Sequence, residues 1–437
     1  MKILFATMQY GRGYRQGTER YLSLLTSGLA RLGHETVILA GDPERRGESL
    51  PAGVEFEAAP RILAYPSNGW MAVQGISPSV LERVIRSEKP DLVHLVNPAH
   101  IGVGIGHAAR RAGVPIITTV VDFWWVCPKH TLYHSSGGVC SGEVKWTECV
   151  RCIAASHESR VLRAAAAMPL LSVMLPALFA VRAMSRGLPP AEWSRWRQRR
   201  SILLEALNAG DGVIFLSRTA EAMLSPRLTH PRTAFIQNGL EPHWFENLNG
   251  PRRAPPGAAS NDRSLVLGYA GALGRHKGVL TLIRAVRALA EQGGVCELRI
   301  ATAGGDAEYE QAVRREAQGL NVQMLGRIAP ESMPAFYDAL DLVVIPSLWP
   351  ENLPNVASEA YARGKAVVSS DVPGIAELVA DESCRFPPGD AEALAACILA
   401  QSRREADELR PSIPTREEMT ARTVAFYERC RDKRTRP

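Results

Sequence analysis

The sequence predicts an α/β protein with two doubly wound parallel-sheet domains, and three observations lead to this fold class. First, 437 residues are too many for one ordinary hydrophobic core and suit two domains. Second, short apolar runs alternate with longer amphipathic segments, which is typical of parallel strands joined by helices. Third, residues 248–264 are rich in Pro, Gly, Ser and Asn and lack apolar periodicity, and the alternation restarts after them. We therefore expect two Rossmann-like domains that face each other across a cleft.

The individual elements follow from the apolar runs. In the first half, strands are predicted at residues 2–7, 36–41, 92–96, 116–121, 213–217 and 234–238, with a helix at 20–32. In the second half, strands are predicted at 265–271, 298–305, 322–326, 342–347 and 366–370, with helices at 279–291 and 416–431. The predicted domains are therefore 1–247 and 265–415, joined by the linker 248–264 and followed by a C-terminal helix at 416–437.

The composition is that of an ordinary soluble globular protein. Apolar residues make up 46% and charged residues 22%, and 51 basic against 45 acidic residues give a net charge of +6. This charge is mild for the length, so we expect no nucleic-acid partner. The chain enters its first strand at Lys2 without a basic lead, an apolar core and a cleavage site, so we expect no export signal and a cytoplasmic protein.

The stretch from Trp349 to Glu359 predicts a site for an anion. It lies between two apolar runs, Asn352 is a good N-cap, Pro354 suits the first helical turn, and Gly364 suits the helix end. Phosphate binds at such a helix start because the amides there are unpaired and the dipole is positive.

Two carboxylates border this helix start. Glu351 precedes it and Glu359 lies in its second turn, so both carboxylates can accept hydrogen bonds from hydroxyls near a bound phosphate. The implied ligand is a polyol that carries phosphate. The alternative is an ordinary helix start with solvated glutamates.

A glycine-rich turn follows the first strand, with glycines at positions 11, 13 and 17. A dinucleotide fingerprint needs two residues before its third glycine, and this turn has three. Asp42 nevertheless follows the second strand, where a ribose-binding acid would lie. An NAD-dependent dehydrogenase or epimerase is therefore kept as an alternative.

The loop at residues 268–278 also joins a strand to a helix, and it carries Arg275 and Lys277. Loops at the carboxyl ends of parallel strands share one crevice, so this loop and the Glu351 loop are expected to face the same ligand. The two cations would then neutralise its phosphates. The alternative is a turn with solvated basic residues.

Taken together, these motifs resemble those of the retaining glycosyltransferases of family four, which have the GT-B fold. The resemblance rests on the paired glutamates and on residues 271–278, 322–326, 341–347 and 372–377 in the second half, and on 16–20, 32–35 and 237–240 in the first half. It implies that a nucleoside diphosphate sugar binds the C-terminal domain and that a glycan or lipid-linked acceptor enters from the N-terminal domain. It also implies that a hexosyl group is transferred with retention of configuration. Surface polysaccharide biosynthesis is the setting that this resemblance suggests.

The resemblance implies a role for each matching residue. Glu359 would hold the nucleotide ribose, Glu351 would hold hydroxyls of the donor sugar, and Lys277 with Arg275 would stabilise the leaving pyrophosphate. The remaining donor-binding residues would be Asn352, Leu353, Pro354 and Asn355 at the phosphates or the sugar, Arg327 and Ile328 at the base, and Gly17 in a loop over the diphosphate. Preorganised cations and amides can stabilise the departing charge, so no metal is required for transfer. We expect front-face attack without a covalent nucleophile.

Two positions depart from the family pattern. Ala272 follows Gly271 where many members have arginine, and Val121 precedes Asp122 where they usually have histidine. One pyrophosphate cation and one contact to the donor sugar are therefore missing unless other residues replace them. A nucleotide-sugar-binding pseudoenzyme without turnover is the resulting alternative.

Four of the eight cysteines are clustered as Cys127, Cys140, Cys149 and Cys152, with the spacing C-x12-C-x8-C-x2-C. In a cytoplasmic protein this spacing favours a metal over disulfides, and four thiolates suit either zinc or an iron–sulfur cluster. Two disulfides and free thiols are the alternatives, and His130 or His134 could replace one of the four ligands. The segment 122–128 with these cysteines resembles a subgroup of the same family, which implies a structural role in bracing an acceptor-side loop.

The segment 164–181 is apolar apart from Ser172, and it lies within the predicted helical region 160–200. It contains Pro169 and Pro176 and is short for a membrane span. Arginines follow it at positions 195, 197, 199 and 200, together with Trp193 and Trp196. This pattern suits either a helix pair packed on the first domain or peripheral contact with an anionic membrane on its inner face.

Overall fold

The computed structural model describes residues 1–10, 17–41, 60–65, 73, 75–157, 159–168, 171, 173–175, 177, 190–229, 231–246, 264–402 and 411–432. The chain divides into two compact units. Unit 1 comprises Met1–Gln237 and Glu417–Pro437, and unit 2 comprises Asn238–Arg416. The sequence had placed the end of the first domain at residue 247. Residues 247–263, almost all of the predicted linker, lie outside the described part.

Unit 1 is built around a seven-stranded parallel sheet. Its strands are β1 (Lys2–Thr7), β2 (Glu35–Gly41), β3 (Arg61–Tyr65), β4 (Leu92–Leu95), β5 (Ile116–Val120), β6 (Gly212–Phe215) and β7 (Arg232–Phe235). Its helices are α1 (Gly17–Arg31), α2 (Pro78–Glu88), α3 (Gly104–Arg111), α4 (Trp146–Ala155), α5 (Arg160–Ala167), α6 (Pro190–Arg197), α7 (Arg199–Asn208), α8 (Arg218–Leu224) and, after unit 2, the helix Arg416–Arg431, here α14.

The strand order in this sheet is β3-β2-β1-β4-β5-β6-β7. All six predicted strands are present, and neighbouring strands pair in parallel, for example Leu4 with Val37 and with Val93. The seventh strand, β3, was not predicted. It is a short edge strand that begins with an exposed arginine, so its apolar signal is weak. The order reverses between β1 and β4, and in sheets of this kind ligands bind at such a switch point.

The C-terminal helix α14 packs in the core of unit 1. Its residues Met419, Phe426, Tyr427 and Cys430 are buried in one cluster with apolar residues of β1, β2 and α1. The Tyr427 hydroxyl also hydrogen-bonds His94 Nδ1 at 2.5 Å. The sequence had given this helix its own segment after the second domain, but pattern alone does not say which core an amphipathic helix joins.

The region 160–200 is described only in part. It contains α5, helical residues at 171, 173–175 and 177, and α6, while Pro169, Pro176 and residues 178–189 lie outside the described part. Leu175 and Trp196 are buried with Val150, Ile153 and Ala154 of α4. Within the helices that the structure describes, none combines the length and apolarity that crossing a membrane requires.

Unit 2 contains a six-stranded parallel sheet. Its strands are β8 (Leu265–Ala270), β9 (Cys296–Ala301), β10 (Val322–Gly326), β11 (Leu342–Ile345), β12 (Ala366–Ser370) and β13 (Arg385–Phe386). Its helices are α9 (Val279–Glu291), α10 (Ala307–Glu316), α11 (Met333–Asp338), α12 (Asn355–Ala362) and α13 (Ala391–Ser402).

The strand order in unit 2 is β10-β9-β8-β11-β12-β13. The five predicted strands and the helix 279–291 are confirmed, whereas the two-residue strand β13 is too short to leave an apolar run in the sequence. The switch point of this sheet lies between β8 and β11. The loops that follow these two strands contain residues 271–278 and 346–354, which are the two motifs that the sequence singled out.

Candidate active site

The two predicted ligand loops meet at the switch point of unit 2. The loop after β8 ends in a short 3-10 turn at Arg275–Lys277, and the loop after β11 leads into α12. The backbone N–H of Leu348 donates to the carbonyl of His276 at 2.8 Å. The two loops are therefore in direct contact, and the prediction that both face one ligand stays a prediction.

Gly278 permits this close approach. Its φ is 68°, in the left-handed region, and a Cβ at this position would lie 1.8 Å from the carbonyl oxygen of Pro346. Only glycine satisfies both conditions without displacing the backbone. The residue thus fixes how near Lys277 lies to the loop after β11.

Lys277 and Glu351 form an ion pair across the two loops. Lys277 Nζ lies 2.6 Å from Glu351 Oε1, with side-chain exposures of 23% and 13%. The same oxygen accepts hydrogen bonds from Ser347 Oγ at 2.9 Å and from Trp349 Nε1 at 2.8 Å. Among the described residues no donor reaches Glu351 Oε2, so this oxygen retains its capacity to accept a hydroxyl.

An aromatic surface borders the ion pair. The Trp349 ring lies 4.9 Å from Lys277 Nζ and 4.3 Å, centroid to centroid, from the ring of His276. An indole face attracts a cation, so it helps to hold the ammonium in place. Ser347, Trp349 and His276 were not among the predicted site residues. Their positions in the sequence could have identified them. His276 lies between Arg275 and Lys277, Trp349 lies two residues before Glu351, and Ser347 is the last residue of a predicted strand.

The segment around Glu351 is fixed from a third loop. The backbone N–H of Glu351 donates to the carbonyl of Pro373 at 3.0 Å. Gly374 has φ 85°, and a Cβ there would lie 1.6 Å from the carbonyl oxygen of Glu351. The motif at 372–377, quoted above for its resemblance, thus supports the carboxylate through the backbone.

The start of α12 differs from the prediction. The helix begins at Asn355 with Pro354 as its N-cap, so the assignment of Asn352 as N-cap and of Pro354 to the first turn was wrong. The reason is that Leu353 takes a left-handed φ of 64°, which places a turn between Asn352 and the helix. Gly364 follows the helix end as predicted, with φ 71°.

The first residue of α12 is contacted from the beginning of unit 2. Asn238 Nδ2 donates to Asn355 Oδ1 at 3.0 Å. The first amides of α12 have no partner within the helix, as at every helix start. These amides follow the Glu351 loop directly in the chain, so the positive end of the α12 dipole and the Lys277 ammonium both border Glu351.

Glu359 lies on the buried side of α12. The residue is 3% exposed, and one of its carboxylate oxygens accepts a hydrogen bond from the Tyr337 hydroxyl at 2.7 Å. Tyr337 itself is fully buried and packs against Trp244. The predicted contact of Glu359 with a ribose stays a prediction, and the structure adds Tyr337 as the group that orients this carboxylate.

The other predicted donor residues are more dispersed. Arg275 is exposed and pairs with Glu308 at 3.7 Å, away from Glu351. Arg327 is exposed and Ile328 half-buried, directly after β10. Gly17 is the first residue of α1 in unit 1, and both the remainder of its loop, residues 11–16, and Asp42 lie outside the described part.

The four clustered cysteines are all half-buried with free thiols. In the part of the chain that the structure describes, no three His, Cys, Asp or Glu side chains have the arrangement of metal ligands. Burial and then the neighbouring Cys127, Cys140 and Cys152 raise the pKa of Cys149 to about 12. The metal assignment therefore stays a prediction.

A buried cation lies near these thiols. Arg199 is 6% exposed, and its guanidinium stacks on Trp124 at 4.1 Å and donates to the Trp124 carbonyl. Burial lowers the pKa of Arg199 to about 10, while Cys127, Cys149 and Asp122 act in the opposite direction. A positive charge beside the thiols favours their thiolate forms.

Both halves of the chain match families of known proteins. Residues 264–402 match the family described as "Glycosyl transferases group 1", and residues 16–172 match the family described as "Glycosyl transferase 4-like domain". The first match spans most of unit 2 and includes Lys277, Glu351 and Glu359.

Curated relatives match over part of their length. The chain is 30% identical over 177 residues to the lipopolysaccharide 1,2-N-acetylglucosaminetransferase of Salmonella typhimurium, which is 39% of this chain and 46% of that protein. It is 35% identical over 139 residues to the amylovoran biosynthesis glycosyltransferase AmsK of Erwinia amylovora, which is 30% of this chain and 34% of that protein. The matched region is thus less than half the length of either relative.

Solved structures match over nearly the whole chain. Sucrose-phosphate synthase from Thermosynechococcus elongatus has a TM-score of 0.61 at 18% identity, covering 98% of both chains. Anabaena HepE in complex with UDP has a TM-score of 0.57 at 17% identity, also covering 98% of both chains. With two parallel-sheet α/β units and these neighbours, the chain has the GT-B fold, as predicted.

Proposed function

We propose that this GT-B chain, both halves of which match glycosyltransferase families, is a glycosyltransferase that moves a sugar from a nucleoside diphosphate donor to a glycan or lipid-linked acceptor. Its setting would be the biosynthesis of a surface polysaccharide. The names of the relatives from Salmonella typhimurium and Erwinia amylovora support this setting.

One observation carries the proposal. The Lys277–Glu351 ion pair lies beside the start of α12, at the switch point of unit 2. A diphosphate needs positive charge and free amides, and the sugar attached to it needs hydroxyl acceptors. This corner of unit 2 offers both within one pair of loops.

The proposed chemistry assigns one role to each member of the pair. The Lys277 ammonium, together with the first amides of α12, stabilises the negative charge that develops on the diphosphate as its bond to the sugar breaks. Glu351 Oε2 accepts a hydrogen bond from a hydroxyl of the donor sugar, while Oε1 keeps its hydrogen bonds from Lys277, Ser347 and Trp349. Arg275, Arg327, Ile328 and backbone groups of Asn352–Asn355 complete the donor site in unit 2, as the sequence resemblance implies.

The finer features of the transfer also belong to this proposal. We propose a retaining transfer of a hexosyl group by front-face attack, without a covalent nucleophile and without a metal at the reacting centre. Lys277 and the amides at the start of α12 are suited to stabilise the charge on a leaving diphosphate, which supports transfer without a metal at the reacting centre.

Contact with an anionic membrane is proposed for the surface around α5. Val161, Met168, Val173 and Met174 are 77%, 53%, 73% and 57% exposed. Exposed arginines lie in the same region at positions 151, 160, 163 and 197. Apolar side chains with arginines around them suit the interface of a bilayer that contains anionic lipid.

Sedimentation with vesicles tests this surface. Phosphatidylcholine vesicles with phosphatidylglycerol should bind the protein more strongly than phosphatidylcholine alone. The double variant Val161→Ser, Val173→Ser should lose this binding. Leu32→Ser, Val295→Ser removes two similarly exposed apolar residues elsewhere and should keep it. Equal sedimentation of all three proteins would contradict the proposal.

A structural metal at Cys127, Cys140, Cys149 and Cys152 is also proposed, either zinc or an iron–sulfur cluster. Its support is the donor set, since the spacing C-x12-C-x8-C-x2-C gathers four thiols within one segment. Elemental analysis of purified protein should find zinc or iron, and Cys149→Ser, Cys152→Ser should lose it. Cys296→Ser, Cys397→Ser should retain it, and wild-type protein with neither element would refute the site.

The main experiment follows release of nucleoside diphosphate from UDP-, GDP- and ADP-sugars. Octyl glycosides of glucose, galactose, mannose and N-acetylglucosamine serve as acceptors. Release from one donor is expected, and Glu359→Ala and Lys277→Ala should abolish it. Binding of a nucleotide sugar without release would identify a pseudoenzyme, whereas thermal stabilisation by NAD alone would favour a dehydrogenase. Unchanged release in both variants would refute the site.

A further inference from the structure

Arg363 directly follows α12, the helix that carries Glu359. Its side chain is only 4% exposed, and its guanidinium makes four hydrogen bonds. Nε and Nη2 donate to the two carboxylate oxygens of Asp338 at 2.9 and 2.6 Å, and Nη1 donates to the carbonyls of Trp244 and Glu246 at 3.2 and 2.6 Å. The end of α12 is therefore tied both to α11, which ends at Asp338, and to the segment that precedes β8.

The partners of Arg363 surround the group that bonds Glu359. Asp338 is the chain neighbour of Tyr337, whose hydroxyl donates to Glu359 at 2.7 Å. The ring of Trp244 packs against the ring of Tyr337, with 5.8 Å between the centroids, and the two residues are 1% and 0% exposed. Arg363 thus holds the backbone on either side of this aromatic contact, and the contact fixes the Tyr337 hydroxyl on Glu359.

The position of Arg363 on the helix makes its choice of partner informative. Its backbone amide donates to the Glu359 carbonyl at 3.0 Å, so the two residues are one helical turn apart. Oppositely charged side chains at this spacing share a helix face and form ion pairs. Here the guanidinium forms a bidentate pair with Asp338 instead. Asp338 therefore keeps this cation from neutralising the Glu359 carboxylate.

We propose that Arg363 is a positioning residue for the donor site. With Asp338 it keeps Tyr337 in place, and Tyr337 in turn orients Glu359 towards the ribose hydroxyls of the nucleotide. A carboxylate that is oriented before the donor arrives lowers the entropic cost of the contact. The inference rests on the proposed function, in which Glu359 holds the ribose, and it extends that function to a residue that acts through others.

Arg363→Met is the variant that tests this role, because methionine makes none of the four hydrogen bonds. The Asp338 side chain that it leaves unpaired is 46% exposed, so water can solvate the carboxylate. The matched control is Arg287→Met in the same unit. Arg287 also donates to two backbone carbonyls, those of Glu316 and Gln318, at the end of α10.

The measured quantity is the contribution of the ribose hydroxyls to binding. Calorimetry compares UDP, GDP and ADP with their 2′,3′-dideoxy counterparts, which lack both hydroxyls. For the nucleotide that wild type binds, losing the hydroxyls should weaken binding at least about tenfold, as expected for hydrogen bonds to a charged group. In Arg363→Met this ratio should fall to about threefold or less, whereas Arg287→Met should keep the wild-type ratio. A purely structural role would weaken both ligands equally and leave the ratio unchanged.

Asp338→Asn is a second, milder variant. It keeps an acceptor for Arg363 and removes only the charge, which frees the guanidinium to turn towards Glu359. It should lower the ratio in the same direction, and it decides the question where thermal unfolding shows that Arg363→Met is not folded.

The outcomes separate the inference from the proposed function. A wild-type ratio in the folded Arg363 or Asp338 variant would overturn the inference alone. Equal binding of a nucleotide and its dideoxy counterpart by wild type would also overturn it, because Glu359 would then not hold the ribose. Wild type that binds none of the three nucleotides would refute the donor site itself, and the inference with it.

Discussion

The ammonium of Lys277 and the carboxylate of Glu351 lie 2.6 Å apart, although 74 residues separate them in the chain. The sequence placed them in two loops facing one ligand and gave each a separate role. The structure joins them in one ion pair, whose carboxylate is also held by Ser347 and Trp349. The two charges are therefore already ordered before a donor arrives, which reduces the entropic cost of forming the site.

Removing the Lys277 charge is expected to slow diphosphate release by about 10²–10³-fold in Lys277→Met, the range for losing one group that stabilises charge in the transition state. Release is measured at a saturating concentration of the nucleotide sugar that wild type uses. The control is Arg284→Met, which breaks the exposed pair Arg284–Glu316 in the same unit. A Lys277→Met enzyme as fast as this control would contradict the assigned role.

Glu351→Gln should retain the fold, because the glutamine carbonyl can still accept from Ser347 and Trp349. The charge opposite Lys277 is lost, however, and so is the stronger acceptor for a sugar hydroxyl. We expect the donor KM to rise about tenfold, with a small change in the unfolding temperature. An unchanged donor KM would indicate that Glu351 only positions Lys277.

Gly278→Ala should destabilise unit 2 by about 1–3 kcal/mol more than Gly319→Ala does. Both glycines have positive φ, but a Cβ at Gly278 meets the Pro346 carbonyl, whereas a Cβ at Gly319 meets nothing within 4 Å. The difference in stability between the two variants therefore measures the cost of the contact with the Pro346 carbonyl separately from the cost of a positive φ. Urea unfolding measures both, and equal stabilities would show that the two loops can separate at no cost.

Tyr337→Phe is expected to weaken donor binding severalfold if Glu359 contacts the donor as proposed. The variant removes only the hydroxyl that donates to Glu359 and keeps the ring that packs against Trp244. Donor affinity by calorimetry is compared with that of Glu359→Gln, which should bind at least as weakly. Wild-type affinity in both variants would leave Glu359 with a purely structural role.

Acid sensitivity is expected from His94. Burial lowers the pKa of His94 to about 3, against an ordinary value of 6.5. Between these values the unfolded chain binds a proton that the folded state does not, so stability falls as pH falls from 6.5 towards 3, by up to about 1.4 kcal/mol per pH unit.

His94→Gln tests this origin of the pH dependence. The variant should be less stable than wild type at neutral pH, because His94 bonds both Tyr427 and Thr119, but its stability should fall less steeply as pH falls. His100, whose pKa is also lowered, remains in both proteins, so the difference between the two slopes reports His94 alone. Parallel slopes in urea unfolding between pH 5 and 7 would rule out His94 as the source.

Much of the fold was available from the sequence because buried parallel strands are continuous apolar runs. All eleven predicted strands are present, and the helix Val279–Glu291 has the predicted bounds. The two missed strands, β3 and β13, lie at sheet edges, where an exposed arginine or a two-residue length removes that signal. The start of α12 was misplaced because nothing in the sequence required Leu353 to adopt positive φ.

The sequence by itself determined the two Rossmann-like sheets, the glycine positions at strand ends and the identities of Lys277 and Glu351, because these depend on local pattern and motif. Tertiary structure alone decided which groups meet. It formed the ion pair between Lys277 and Glu351 and placed the C-terminal helix in the core of unit 1. It also formed the hydrogen bonds of Tyr337 with Glu359 and of His130 with Asp122. The physical reason is that such contacts depend on strand order and on how closely loops pack, and neither leaves a periodic trace along the chain.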